Sequence, residues 1–521
     1  MTKLSTVRAS RNVIDGSAAA GDLELSADVC VIGSGAGGAV VASVLAEAGV
    51  SVILVEEGGY YSTADFDMHE AHTVPKLYQE SMQRTTADLA ISVLQGRAVG
   101  GTTVVNWTTC FRTPEDVVDH WAKKHAVGGF TYADLVPHYE AIEARLSIHK
   151  VDETAMNRNN RRLHDGCKAK GFAVETTRRN VHQCLQTGYC GTGCPINAKR
   201  SMLVTLVPDA IDAGARLLFR ARVDRLELAG GAATTARCTL LDAAGYGVTG
   251  KRATVRAKRF VLSGGAINSP AVLLRSGLDQ GGLTGTRTFL HPTVGVSGLY
   301  DEPIEAFVGA PQTAASHAFA HRGEDVGFFM EAAPGYPVLG ATAMPGFGAG
   351  HRRLMETLAR RTVHIALAID GFHDGVPGGT VKLRPSGAPL LDYPITPGLW
   401  EAFRTAHRRL IEVNLAAGAR EVTTLHDPAL TFTREDELDR LDGAPWEPCR
   451  LGLFTAHQMG GCRMGDDART SVVRSEDLRH HAVSNLYVID GSVLPTALGV
   501  NPQESIYGLS RLMATRLAAR R

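Results

Sequence analysis

Two runs of apolar and β-branched residues flank a stretch of helix-forming residues near the start of the chain. Residues 28–32 and 51–55 have the composition of buried strands, and residues 36–48 carry good helix formers. The order strand, helix, strand is that of a βαβ unit, whose two strands lie parallel in one sheet. The chain therefore opens with the pattern of an α/β fold.

The turn between the first strand and the helix is rich in glycine. Gly33, Gly35 and Gly38 fill the glycine positions of G-x-G-x-x-G, and Glu56 follows the second strand. Such a turn holds a pyrophosphate at the helix N-terminus, and an acid about twenty residues further on accepts hydrogen bonds from a ribose. The pattern predicts a dinucleotide site. The same glycines argue against a membrane span over the uncharged residues 29–46, because a spanning helix needs continuous backbone pairing.

Later segments extend this sheet and add a second region. Residues 259–262 and 486–489 predict further strands of the nucleotide-binding sheet, and residues 271–274 predict a helix. Strand-like runs at residues 363–369 and 380–383 lie between them. The nucleotide-binding domain is therefore expected to collect segments from both ends of the chain.

These elements predict an α/β fold in which a Rossmann-like cofactor domain is interleaved with a substrate domain built on an antiparallel sheet. The cofactor domain is expected to comprise residues 1–298 and 450–521, with inserted loops near 60–95 and 125–200. Residues 299–449 are the expected substrate-binding domain.

Composition narrows the class of protein. Lys plus Arg and Asp plus Glu both total 54, so no general attraction to nucleic acid or anionic lipid is expected. The 56 glycines are about 11% of the chain against roughly 7% in average usage, which favours a nucleotide cofactor. Nine cysteines, an odd number, are unlike a secreted disulfide scaffold. The first 27 residues contain no apolar run typical of an export signal, so a cytoplasmic location is predicted.

Four separated motifs resemble those of the glucose–methanol–choline (GMC) family of flavin oxidoreductases. They are the glycine turn with Glu56, residues 96–106, residues 265–270, and the C-terminal pair at 457–465 and 485–503. Within the family the chain is most similar to the long-chain alcohol oxidase and FAD glucose dehydrogenase branches. The resemblance implies an oxidoreductase and identifies the expected dinucleotide as FAD.

The resemblance also implies which residues contact FAD. They are Gly33, Gly35, Gly38, Glu56, Arg97, Gly101, Thr102, Asn106, Val223, Asp490, Gly491, Pro502 and Gln503. Some family members attach FAD covalently through a histidine just before the asparagine of the 96–106 motif, where this chain has Val105. A valine cannot form that bond, so the FAD is expected to be non-covalent.

Alcohol oxidation removes a hydroxyl proton and a carbon-bound hydride, and a flavin accepts the hydride. Histidine suits the proton transfer because its ordinary pKa of about 6.5 leaves it largely neutral at physiological pH. His457 stands where the family has its catalytic histidine, and it is expected to be the general base. Asn501 stands at the second catalytic position, where its amide would donate a hydrogen bond to the developing alkoxide.

A cysteine group lies outside these motifs. Cys184, Cys190 and Cys194 share one glycine-rich loop. Three thiolates from one loop could hold an iron–sulfur cluster, and the spacing resembles that of FAD glucose dehydrogenases with a three-iron cluster as well as that of long-chain alcohol oxidases. A zinc site with His182 as fourth ligand and a loop of free buried cysteines are the alternatives.

The sequence therefore predicts FAD-dependent oxidation of an alcohol to an aldehyde or ketone. The expected partners are a small-molecule alcohol and an electron acceptor, which is dioxygen, a quinone or a redox protein; no nucleic acid and no transmembrane segment are expected. The apolar residues 307–311 and 328–330 favour a bulky or hydrophobic alcohol. Three alternatives stay open: a sugar or polyol dehydrogenase that passes electrons through an iron–sulfur cluster, a nicotinamide-linked dehydrogenase, and a non-redox flavoprotein on the same fold.

Overall fold

A computed structural model describes residues 10–520. Residues 1–9 and residue 521 lie outside the described range. Residues 1–9 are part of the predicted cofactor domain and of the first 27 residues, in which no export signal is expected, and residue 521 ends the second segment of that domain. The strands of the described range are, in chain order, β1 Val13–Asp15, β2 Leu23–Ile32, β3 Val52–Val55, β4 Ile91–Val93, β5 Thr109–Cys110, β6 Ile148–Lys150, β7 Glu175–Thr176, β8 Arg178–Asn180, β9 Arg216–Phe219, β10 Ala221–Ala229, β11 Ala232–Leu241, β12 Val248–Leu262, β13 Thr286–Phe289, β14 Thr293–Leu299, β15 Ala314–Ser316, β16 Phe328–Ala332, β17 His364–Ala368, β18 Gly379–Leu383, β19 Pro389–Asp392, β20 Glu421–Thr424, β21 Thr431–Phe432, β22 Leu453–Thr455, β23 Met459–Gly460 and β24 Leu486–Val488. The α-helices are α1 Ala36–Glu47, α2 Glu70–Leu77, α3 Glu115–His125, α4 Tyr132–Leu146, α5 Arg158–Ala169, α6 Leu206–Asp212, α7 Gly265–Arg275, α8 Pro337–Ala343, α9 Gly348–Glu356, α10 Pro397–Ala416 and α11 Gln503–Ala519.

The first sheet has the order β1-β9-β3-β2-β12-β11-β10, and β24 also pairs with β12. Strands β1, β9, β3, β2 and β12 run parallel to one another, and β24 runs parallel to β12. Strands β11 and β10 add an antiparallel edge. Parallel strands are covered on both faces and are accordingly apolar along their length. The four residues of β3 are all buried, and α1 and α11 pack together over the sheet. The predicted α/β class is confirmed.

The elements predicted for this sheet are present with small differences in length. The strand at 28–32 is the buried end of β2, the strand at 259–262 ends β12, and the C-terminal strand is β24. The helix predicted at 271–274 begins earlier, at Gly265, because the left-handed backbone of that glycine turns the chain into the helix directly after the strand.

Glycines bring α1 into backbone contact with the strands. A Cβ on Gly33 would lie 2.3 Å from the Ser263 carbonyl oxygen, and one on Gly37 would lie 2.1 Å from the Ile489 oxygen. A Cβ on Gly38 would lie 1.8 Å from the carbonyl oxygen of Gly33. The helix N-terminus therefore sits closer to β12 and β24 than any other residue type at these positions would permit.

A second, nine-stranded sheet forms the other layer. Its order is β21-β20-β14-β17-β16-β15-β7, with β22 paired to β14 and β4 paired to β22. All its pairings are antiparallel except that of β22 with β4. Helices α10 and α5 pack together against this sheet around a separate apolar core. The antiparallel sheet predicted for the second region is confirmed.

The second sheet takes strands from more parts of the chain than the sequence predicted. Strands β4, β7 and β22 of the second sheet, and all of β14 except its last residue, come from outside residues 299–449. The segments predicted as inserted loops contain helices α2, α4 and α5. The division into domains at residues 299 and 449 stays a prediction.

No helix in the described range is long and apolar enough to cross a membrane. The uncharged residues 29–46 instead form the end of β2, the glycine turn and most of α1.

Candidate active site

A cavity of about 590 Å³ lies where the two sheets meet. On one side it is bounded by the carboxyl ends of β2, β3 and β12 and by the N-terminus of α1. On the other side, β14 and β17 contribute Thr293, Ile365 and Leu367. Ligands of open parallel sheets bind beyond the carboxyl ends of the strands, so the cavity is where a dinucleotide is expected.

The predicted FAD contacts gather around this cavity with one exception. Twelve of the thirteen line it: Gly33, Gly35, Glu56, Arg97, Gly101, Thr102, Asn106, Val223, Asp490, Gly491, Pro502 and Gln503. Gly38 does not. It lies one helical turn behind, where its missing side chain allows α1 to pack on the turn that follows β2.

Glu56 ties the glycine turn to the 96–106 motif. Its carboxylate accepts hydrogen bonds from the Ser34 amide at 2.9 Å, from the Ser34 hydroxyl at 2.7 Å and from the Gly58 amide at 2.8 Å. The Ser34 hydroxyl in turn accepts a hydrogen bond from the Gly100 amide. Burial raises the pKa of Glu56 despite these bonds. The carboxyl group is thus held at the cavity wall, where the adenosine ribose is expected.

The 96–106 motif approaches the glycine turn at backbone distance. A Cβ on Gly101 would lie 2.6 Å from the Cα of Gly35, and Gly101 has a left-handed φ of +57°. The approach leaves a narrow cradle lined by backbone. Such a cradle fits a pyrophosphate, which binds to free N–H groups at a helix N-terminus.

Asp490 joins the C-terminal motif to α7. Its carboxylate accepts hydrogen bonds from the Gly265 amide at 2.8 Å, the Ser269 hydroxyl at 2.6 Å and the Ser492 amide at 2.8 Å. Burial raises the pKa of Asp490. Because the side chain is fully used in these bonds, Asp490 shapes the cavity wall through its backbone.

Several buried polar atoms at the cavity lack a partner within residues 10–520, and Asn106 Oδ1 and Arg97 Nε are two of them. Their side chains are otherwise fixed, since Asn106 donates to Gln503 Oε1 at 2.6 Å and Arg97 donates to the Gly245 oxygen at 2.7 Å. Buried polar groups rarely stay unpaired. These atoms, together with the glycine cradle, fit a large polar cofactor such as FAD.

The two predicted catalytic residues meet at the same cavity. His457 lies between β22 and β23, and Asn501 lies just before α11. Asn501 Nδ2 is 3.4 Å from His457 Nε2. Desolvation lowers the pKa of His457 to about 3, so the ring is neutral at physiological pH.

Sequence reasoning missed two residues behind this pair. Buried His291, in the turn between β13 and β14, places its Nδ1 3.2 Å from His457 Nδ1. Buried Glu331, in β16, contacts Asn501 Nδ2 at 3.4 Å and accepts a hydrogen bond from Gln312 at 2.6 Å. Burial raises the pKa of Glu331 to about 8. A single acid within the apolar run of β16 was a usable signal for Glu331, whereas nothing local marks His291.

Apolar side chains form the wall on the side of the second sheet. Trp107, Ile365, Leu367 and Phe454 line the cavity, and they belong to one packed cluster with Phe329. Residues 307–311 and 328–330, which suggested a hydrophobic substrate from sequence, are not among the lining residues. The apolar surface comes instead from β17, β22 and the residue after Asn106.

The cysteine loop lies beside a second, very small cavity. Cys184, Cys190 and Cys194 line it together with Lys199, whereas His182 does not. Among residues 10–520, no group of three or more His, Cys, Asp or Glu side chains is placed to hold a metal ion. As arranged here, the three cysteines therefore do not form a site for a single metal ion such as zinc, and an iron–sulfur cluster held by them stays a prediction.

A buried lysine links the cysteine loop to the cofactor motif. Lys199 Nζ donates to the carbonyl oxygens of Val104, of Asn106 at 2.9 Å and of Cys190 at 2.7 Å. Burial lowers the pKa of Lys199 to about 8. One ammonium group thus fixes both loops to each other.

Comparison with known proteins agrees with this arrangement. Family models described as GMC oxidoreductase match residues 53–293 and 377–510, and one described as FAD binding domain matches residues 26–67. The last range contains the glycine turn and Glu56, so the predicted cofactor, FAD, is confirmed.

Relatives and solved structures extend the comparison over the chain. An uncharacterized GMC-type oxidoreductase of Sinorhizobium fredii is 32% identical, with 94% of each chain covered. A long-chain-alcohol oxidase of Arabidopsis thaliana is 29% identical over 94% of this chain and 67% of its own length. The crystal structure of pyridoxine 4-oxidase from Mesorbium loti superposes with a TM-score of 0.67 at 18% identity, covering 95% of this chain and 100% of that one.

The glycine cradle generates a prediction about cofactor retention. Gly101→Ala should weaken FAD binding by roughly 5- to 150-fold, because the new Cβ overlaps Gly35 and overpacking costs about 1–3 kcal/mol. The measurement is the dissociation constant of FAD by fluorescence titration of the apoprotein. Gly277→Ala is the matched control: Gly277 also has a left-handed φ, but nothing lies within 4 Å of its added Cβ. Equal losses in both variants would contradict the cradle.

Val105 generates a second prediction. It is buried at the cavity wall, and its side chain has no atom able to bond covalently to the flavin. Acid precipitation of the yellow holoenzyme should therefore release all FAD into the supernatant, where its absorbance is measured. Yellow colour retained in the washed pellet would show a covalent link elsewhere.

Proposed function

The chain belongs to the GMC oxidoreductase family, and from that premise we propose that it oxidises a primary or secondary alcohol to an aldehyde or ketone. The observation that carries the proposal is the meeting of His457 Nε2 and Asn501 Nδ2 at the cavity, 3.4 Å apart. Two side-chain nitrogens at this separation can contact a single alcohol oxygen between them.

When bound, FAD supplies the acceptor for the hydride. The protein supplies the contacts to the oxygen. Neutral His457 and Asn501 can form hydrogen bonds to an alcohol without placing a buried positive charge beside it. The general-base role predicted for His457 further requires that its Nε2 carry no proton.

A chain of polar contacts through Glu331 and Gln312 orients the Asn501 side chain. Its amide contacts the Glu331 carboxyl group at 3.4 Å, and Glu331 is fixed by the amide of Gln312. Gln312 in turn accepts a hydrogen bond from the Thr109 hydroxyl at 2.8 Å. A donor whose orientation is set before substrate binds stabilises developing charge without reorganisation, which supports the role of Asn501 at the oxygen.

We propose a bulky or hydrophobic alcohol as substrate. The apolar wall of Trp107, Ile365, Leu367 and Phe454 supports it, since binding sites of this kind gain affinity by burying apolar surface. The similarity to long-chain-alcohol oxidases points in the same direction. A sugar or polyol would leave hydroxyl groups unpaired against this wall.

A substrate screen tests the proposed function. Anaerobic holoenzyme is mixed with aliphatic alcohols of increasing length, aryl alcohols, sterols and sugars, and flavin bleaching is recorded. We expect bleaching with hydrophobic alcohols at lower concentrations than with sugars. Admission of air then separates dioxygen from a quinone or redox protein as electron acceptor. No bleaching with any alcohol would overturn the proposal.

His457→Ala should slow anaerobic flavin reduction by roughly two to four powers of ten while FAD stays bound, whether the ring serves as base or as donor. Stopped-flow absorbance gives the rate, and the spectrum gives the FAD content. His317→Ala is the control, because His317 packs on the same Phe329 ring as His291 but does not bond to His457. A His457→Ala rate near that of the wild type would remove the residue from the reaction.

A further inference from the structure

Helices α8 and α9 lie on the surface, and neither contains a buried residue. A surface helix ordinarily buries an apolar stripe against the core. Residues 337–350, which comprise α8, the turn after it and the start of α9, carry no charge, and only Met344 among them is buried. Phe347, in the turn, is 92% exposed, more than any other large apolar side chain of residues 10–520. This region therefore presents apolar surface that the described residues do not cover.

Another exposed apolar side chain lies near the segment that caps α8. The Glu70 carboxylate accepts hydrogen bonds from the amides of Val338 and Leu339 at 2.8 and 2.9 Å. Met68 precedes Glu70 by two residues, and Met68 and Val338 are both exposed. The cap therefore links two segments that each carry an exposed apolar side chain.

The cysteine loop also contacts this region. The ring of Tyr189 stacks on that of Tyr336, the residue before α8, with the ring centroids 5.5 Å apart. Leu185 in the same loop is 72% exposed, and Val308 is exposed as well. The amide that follows Val308 donates a hydrogen bond at 3.1 Å to the carbonyl oxygen that follows Leu185, which joins the loop to a further segment.

We call the five exposed side chains on these linked segments the apolar patch: Met68, Leu185, Val308, Val338 and Phe347. They are half of the ten large apolar side chains that are exposed in residues 10–520, so exposed apolar residues are concentrated here rather than spread over the surface. Exposed apolar surface gathered in one region marks an interaction site.

Positive charge accompanies the apolar patch. Between Glu331 and Glu356 the chain contains no acid, whereas α9 contributes Arg352 and Arg353. Arg352 pairs with Glu356 at 2.7 Å, but exposed Arg353 forms no ion pair in the part of the chain that the structure describes. The formal charge of the whole chain is zero, so any attraction of this region to anions is local.

The chemistry of residues 337–350 fits a lipid surface better than a protein. Thr342 is the only residue among them whose side chain has a hydroxyl or amide group. A protein interface typically carries about ten direct hydrogen bonds, whereas the acyl region of a bilayer offers no hydrogen-bonding group. Helices α8 and α9 have 7 and 9 residues, and a spanning helix needs about 20, so they can lie only in the plane of the membrane surface.

We propose that the apolar patch docks on the surface of a membrane that contains anionic lipid. The Phe347 side chain enters the boundary between headgroups and acyl chains, and Arg353 pairs with lipid phosphate or carboxylate groups. The proposal goes beyond the proposed function and does not rest on it.

The docked face lies next to the cofactor cavity. A Cβ on Gly191 would lie 2.9 Å from Tyr336 Cε2 and 3.1 Å from Trp107 Nε1. One glycine thus separates the residue before α8 from Trp107, which lines the cavity. Docking through the apolar patch therefore brings the apolar wall of the cavity close to the membrane.

Binding of the FAD-loaded full chain to lipid vesicles tests the proposal. Vesicles of phosphatidylcholine alone, or of phosphatidylcholine mixed with phosphatidylserine, are sedimented with the protein, and the flavin absorbance of the supernatant gives the unbound fraction. We expect binding to both kinds of vesicle, and tighter binding where phosphatidylserine is present. Absence of binding to either kind would overturn the proposal.

Serine substitutions locate the docking surface. Phe347→Ser should weaken vesicle binding about 10-fold or more, the factor expected for the loss of one inserted phenylalanine, and Val338→Ser should weaken it less. Val248→Ser is the matched control, because Val248 is exposed at the start of β12, outside the apolar patch. All three side chains are exposed, so each variant should fold, and its FAD content checks this. Unchanged binding by Phe347→Ser would show that the apolar patch does not dock.

Arg353→Gln tests the role of charge. Its affinity for vesicles with phosphatidylserine should fall about 5-fold, the contribution of one basic residue at an anionic surface, while its affinity for phosphatidylcholine alone stays the same. Arg252→Gln, at an exposed arginine of β12, is the control. A loss of equal size on both kinds of vesicle would reject the pairing of Arg353 with anionic lipid.

Sedimentation velocity without lipid examines a second copy of the chain as the alternative occupant. We expect the wild type and Phe347→Ser to have the same oligomeric state. A wild-type oligomer that Phe347→Ser dissociates would assign the apolar patch to self-contact and overturn the proposal. None of these measurements uses an alcohol, so failure of the substrate screen and failure of membrane docking are distinguished.

Discussion

The cofactor cavity depends on chain segments that approach each other closer than side chains would allow. Gly33 and Gly37 set the N-terminus of α1 against Ser263 and Ile489, and Gly101 meets Gly35 across the cradle. Each contact is between backbones, so a methyl group on Gly33, Gly37 or Gly101 would push two segments apart. The free N–H groups of the helix terminus are thereby directed into the cavity, where a pyrophosphate can accept their hydrogen bonds.

Burial, rather than ion pairing, determines the protonation of the groups around the cavity. His457 and His291 have lowered pKa values because protein surrounds them, and Glu331, Glu56 and Asp490 have raised ones for the same reason. Because burial favours their neutral forms, these groups act on a ligand through hydrogen bonds rather than through net charge.

More of the first sheet than of the second could be predicted from the sequence. The βαβ unit, β12 and β24 could be predicted because short apolar runs and the glycine turn are local signals. The residues expected to contact FAD were found by resemblance, and all of them except Gly38 line the cavity. His291 and Glu331 could not be paired with His457 and Asn501, because β14 and β16 reach the cavity through pairings between distant segments. Residues 307–311 and 328–330, whose apolar character favoured a hydrophobic substrate, do not line the cavity, because membership of the middle region does not determine which face of a strand meets it.

The placement of β24 and α11 has a consequence for biosynthesis. The strand Leu486–Val488, which pairs with the end of β12, and the cavity-lining residues Asn501 to Gln503 are synthesised long after the glycine turn that they complete. A nascent chain that lacks these segments leaves residues 260–262 of β12 without their partner strand β24, and its FAD site is incomplete. The early strands therefore cannot complete the cofactor site until these later segments have been synthesised.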